Sequence, residues 1–177
     1  MIEEELKTKL VHIVADAAAY CYNIENCMDN ERSEFVKKIT ENLAQIYLDF
    51  ISITKEVLTE DLNFSYSPSY VDEEMYDEIR NKLAAMLGEH DTFLETFEED
   101  MKYSETPIAV TISESLADIF QPLYNFISAV KEGMGENIEA LYRDCLDGFE
   151  EYWSQTLCNV LRPLNSLRNN PDLDSEE

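Results

Sequence analysis

Apolar side chains recur along this chain at steps of three and four for most of its length. Leu6, Leu10, Ile13, Val14, Ala17, Cys21, Ile24 and Met28 form one stripe, which predicts a helix over about 3–28. The polar run Asp29-Asn30-Glu31-Arg32 interrupts it. A second stripe, Val36, Ile39, Leu43, Ile46, Tyr47, Phe50, Ile53 and Val57, predicts a helix over about 33–57, with Ser33 or Asn30 as its cap. Asp72 reads as an N-cap, because Glu73 and Glu74 follow where the helix dipole favours acids. Tyr76, Ile79, Leu83, Met86 and Leu87 then lead to Gly88, a helix-ending glycine. A shorter helix is expected over 91–101 from Phe93, Leu94, Phe97 and Met101.

The stripe Ile112, Leu116, Ile119, Phe120, Leu123, Ile127 and Val130 predicts a helix over 110–132 with Pro122 inside it. The proline ring removes a hydrogen bond to the Asp118 carbonyl, so a kink is expected there. The last helix, over 136–168, carries Ile138, Leu141, Tyr142, Cys145, Phe149, Tyr152, Trp153, Leu157, Val160, Leu161 and Leu164. No strand and no internal repeat stands out. The expected fold is all-α: an antiparallel bundle of five to six helices formed by 1–168 as a single domain, with 169–177 as an acidic, flexible tail. Trp153 is expected in the core, and Tyr20, Tyr47, Tyr76, Tyr124, Tyr142 and Tyr152 along its edge.

Composition changes the functional picture more than the structural one. The chain has 38 acidic against 13 basic residues, a net charge of −25. Such a surface repels phosphate backbones and attracts basic surfaces or divalent cations. No basic leader or apolar run of membrane-spanning length is present, so a cytoplasmic protein is expected. Cys21, Cys27, Cys145 and Cys158 match no metal or redox spacing and read as reduced thiols, mostly buried.

Nucleophile elbows, phosphate-binding glycine loops and dinucleotide fingerprints are all absent, so no catalytic residue, metal ligand or cofactor is assigned. His12 lies among apolar neighbours and reads as structural. Polar residues concentrate at Glu89, His90, Asp91, Asp100, Tyr103, Ser104, Glu114 and Asp118, as a tied structural corner or a small pocket. Glu95 with Glu98 and Glu114 with Asp118 sit at helical spacings that put each pair on one face. Acidic pairs from neighbouring helices hold Mg²⁺ in helical nucleotide pyrophosphohydrolases, although their second pair is spaced Glu-x-x-Asp and here it is Glu-x-x-x-Asp. The stretch 59–71 is the longest without helical periodicity. Asp61, Phe64, Tyr66 and Tyr70, beside Asp72, Glu73 and Glu74, combine acids with aromatics there and are the expected partner-contact residues.

The runs Leu87–Asp91, Phe93–Glu95, Asp100–Ile108 and Thr111–Ile119, with Glu151-Tyr152-Trp153 and Leu161-Arg162, resemble a family of small acidic all-helical bacterial proteins. That family is a domain of unknown function, largely from gut-type anaerobes. The resemblance spans most of the chain and is most specific over 83–126. It implies a cytoplasmic helical fold and carries no activity. The leading expectation is a non-catalytic binding or regulatory protein that recognises a basic protein, without nucleic acid or membrane. The alternative is a divalent-metal-dependent phosphohydrolase using carboxylates of the 89–118 region. The oligomeric state is left open.

Overall fold

The computed structural model describes residues 2–58, 68–95, 108–133 and 135–175. Six α-helices account for most of them: α1 Ile2–Glu25, α2 Arg32–Ser52, α3 Glu73–Leu87, α4 Ile112–Glu132, α5 Ile138–Gly148 and α6 Ser154–Arg168. A π-helical turn, Phe149–Trp153, joins α5 to α6, so 138–168 is one helical rod with a widened turn inside it. The fold is all-α, as the periodicity predicts. No described helix is long and apolar enough to cross a membrane.

α4 carries the largest set of buried side chains and packs against α1, α3, α5 and α6. Its apolar positions occupy nearly every turn on more than one face, which is what a central helix requires. The Tyr20 hydroxyl of α1 donates to the Leu116 carbonyl of α4 over 2.8 Å, so a fully buried phenol still finds an acceptor. Trp153 is 1% exposed and lies between Phe50 and Phe149, at 4.9 and 4.7 Å between ring centres.

Several boundaries differ from the sequence-based expectation. The helix expected over 91–101 does not start at 91: Thr92–Leu94 is a strand, β1, paired antiparallel with Ala109–Thr111, β2, and residues 96–101 lie outside the described residues. Phe93 and Leu94 point to opposite faces, buried and exposed, as a strand requires. Asp91 ties the turn before β1 to the first turn of α4: its carboxylate accepts from the Ser113 backbone N–H and from the Ser113 hydroxyl, each at 2.7 Å. α1 ends at Glu25, leaving Met28 59% exposed, and α2 ends at Ser52, leaving Val57 54% exposed. Neither Ser33 nor Asn30 caps α2 through its side chain.

Residues 169–175 pack onto the helices where 169–177 was expected to be a flexible tail; 176 and 177 lie outside the described residues. Leu173 is 1% exposed and belongs to the core. Asp174 accepts from the backbone N–H of Ser33 at 2.8 Å, so it supplies from 141 residues away the cap that α2 lacks locally. Arg32 ties the junction together. Its Nε donates to the Met86 carbonyl at the end of α3, and its Nη1 donates to the Leu173 carbonyl. Gly88 has φ +56°, the left-handed conformation that ends α3 beside this arginine.

Candidate functional site

The start of α4, the ribbon and the rod meet around a cleft of about 530 Å³. Glu95 at the end of β1, Glu114 and Asp118 one turn apart on α4, and Glu151 in the π-turn bring four carboxyl groups to it. Tyr152, Gln155, Thr156 and Asn159 complete the rod's side, and Thr111 and Ser115 the side opposite. Among the described residues, no lysine, arginine or histidine lines the cleft.

Local sequence explains the placement. Thr111 caps α4 by accepting from the Glu114 N–H at 3.2 Å, which fixes Glu114 in the first helical turn. The spacing of Glu114 and Asp118 then keeps both on one face. Asp118 is held on both oxygens: the Tyr76 hydroxyl of α3 donates to Oδ1 at 2.7 Å and the Tyr152 hydroxyl to Oδ2 at 3.3 Å. Burial, with Asp118 beside it, holds the Tyr76 phenol well above the ordinary tyrosine range, so it remains a donor at neutral pH. Glu95 is 7% and Asn159 6% exposed. Asn159 accepts from Gln155 one turn earlier, at 2.8 Å.

Of the polar corner read from the sequence, Glu114 and Asp118 enter this cleft. Asp91 is consumed in its bonds to Ser113. His90 stands 3.7 Å from the Glu89 carboxylate. Glu89 faces a separate depression of about 620 Å³ beside Arg32 and Asp174, not the cleft. Asp100, Tyr103 and Ser104 lie outside the described residues, as do Asp61, Phe64 and Tyr66. Tyr70 is tied down: its backbone N–H and that of Val71 donate to the Asn125 side chain at 2.7 and 3.1 Å, and its hydroxyl bonds Glu132. Asp72 caps α3 by accepting from the Met75 N–H, and Glu73 is exposed behind it.

Glu114 and Asp118 lie on α4, whereas Glu95 follows a strand; Glu98 lies outside the described residues. Among the described residues no group of three or more His, Cys, Asp or Glu is arranged to hold a metal ion. Glu151, Tyr152, Gln155 and Asn159 were not singled out as a site. Their signal was the spacing 151, 155, 159, a polar face on the last helix. Tyr152 misled because it was assigned to the apolar stripe. The π-turn rotates it outward, and it is 59% exposed.

The model of a family described as "Domain of unknown function (DUF5063)" matches residues 4–170. The crystal structure of protein BF1032 from Bacteroides fragilis is similar, with a TM-score of 0.76 and 28% identity over 92% of this chain and 94% of that one. No curated protein matches the chain.

Proposed function

We propose that the chain, which belongs to the DUF5063 family, is a non-catalytic binding protein that recognises a basic protein segment through the acidic cleft. The observation that carries this reading is the convergence of Glu95, Glu114, Asp118 and Glu151 on one concave surface, with no basic residue among the described residues of its lining. Acids lining one cleft favour the entry of a cationic side chain. The exposed ring of Tyr152 stands at the same place and offers a face for a lysine or arginine stem. Net charge −25 adds long-range attraction for a basic partner. A cytoplasmic setting, and a source among gut-type anaerobes, belong to the same reading. They are supported by the thiol-only cysteines and by the Bacteroides relative.

The test is calorimetric titration with an oligolysine peptide at low salt. Glu114→Gln with Glu151→Gln is expected to weaken binding about tenfold or more, since both acids are exposed and neither holds the fold together. An unchanged affinity would remove the cleft as the contact. Mg²⁺ in place of the peptide tests the alternative, metal-dependent phosphoryl hydrolysis. Tight Mg²⁺ binding lost in Asp118→Asn would favour that alternative over the binding protein.

A further inference from the structure

α1 and α2 run antiparallel, and their seam carries two polar rungs in register. Asn23 donates through Nδ2 to Asn42 Oδ1 at 2.8 Å. Two helical turns away on each helix, seven residues in sequence, the matching positions are Asp16 and Asp49. The two rungs differ in one respect. An amide facing an amide has both a donor and an acceptor, whereas two carboxylates have only acceptors. Asp49 Oδ1 accepts from Gln45 at 2.8 Å. Oδ2 is sealed from solvent and has no donor, and the Asp16 carboxyl is in hydrogen-bonding contact with Asp49. We propose that the Asp16–Asp49 rung closes on a single shared proton and acts as a pH-sensitive latch between α1 and α2.

The groups around the rung are consistent with a proton there. His12 lies one turn before Asp16 and is exposed; its positive form favours ionised Asp49 and opposes the latch. Tyr142 of α5 sits within electrostatic reach, but its buried hydroxyl has no hydrogen bond and does not satisfy Asp49. Burial, and then the Asp16 carboxyl against the opposing Gln45 amide, raise Asp49 from 3.8 to about 6. A carboxyl raised on folding stabilises the fold while protonated. That stabilisation is complete below about pH 4 and is lost as pH rises to 6 and beyond. Proton loss leaves two facing carboxylates, so the seam is weaker in neutral than in mildly acidic surroundings. The neighbouring Asn23–Asn42 rung does not titrate and serves as an internal control.

Carbon-13 carboxyl titration by NMR from pH 3 to 8, joined to urea unfolding at pH 5 and pH 8, tests the latch. Asp49 is expected to titrate near pH 6. The unfolding constant is expected to rise about tenfold more between these pH values in the wild type than in Asp49→Asn. Asp49→Asn restores an amide to the rung, so the variant is expected to fold and to lose the pH dependence. Asp49 titrating below pH 5 in the wild type would overturn the proposal, as would an equal pH trend in the two proteins.

Discussion

Trp153 and Asp91 show how much single side chains decide here. The indole is 1% exposed between two phenyl rings, so Trp153→Ala removes a large buried volume that neighbours on three helical segments cannot refill. A loss of about 3–5 kcal/mol is expected in chemical denaturation. A loss under about 1 kcal/mol would mean that the aromatic cluster does not bear on stability. Asp91 makes a different kind of contribution. Its two bonds to Ser113 satisfy a first-turn N–H of α4 and place the acid near the positive helix end. Asp91→Ala is expected to cost about 2 kcal/mol and Asp91→Asn distinctly less, since the amide keeps one acceptor. Equal losses would show that charge, not hydrogen bonding, fixes the corner.

Elements follow from patterns only where both halves of the pattern are local. α1 through α4 and the 138–168 rod were legible because their apolar spacing is helical over many turns, and Asp72 and Gly88 were legible as end signals of α3. Phe93 and Leu94 are adjacent, and adjacency fits a helix edge as well as a strand; the pairing with Ala109–Thr111 that decides between them lies far along the chain. The cap of α2 is equally nonlocal, since Ser33 waits for Asp174. Half of the cleft, Glu114 and Asp118, was legible from helical spacing. Glu95 was read as half of a helical pair but comes from the end of a strand, and the rod's side was hidden because the π-turn resets which of its residues face outward. The C-terminal clasp yields a direct expectation. Removing residues 171–177 deletes buried Leu173 and the Asp174 cap, and it takes away the acceptor of one Arg32 donor. A loss of about 2–4 kcal/mol is expected, where an unstructured tail would give none. Arg32→Ala in the truncated chain is then expected to cost less than in the full chain, because the two share contacts.

At the scale of the whole molecule, −25 charges on 177 residues both repel one another and reach outward. Self-repulsion predicts that the midpoint of thermal unfolding rises as salt increases from 0.01 to 0.15 M, while the Debye length shrinks from about 30 to about 8 Å. Partner attraction predicts the opposite trend for association: the on-rate of a basic segment is expected to fall steeply over the same range. The two trends separate the general effect of charge from the local effect of the cleft, because Glu114→Gln with Glu151→Gln changes net charge only slightly while removing two of the cleft's four carboxyl groups. The most direct test of the account is therefore amide chemical-shift mapping with an oligolysine peptide at 0.15 M salt. Binding at the cleft predicts saturable shifts concentrated at 111–118 and 151–159, lost in that double variant. Weak shifts spread evenly over the acidic surface, unchanged in the variant, would contradict it.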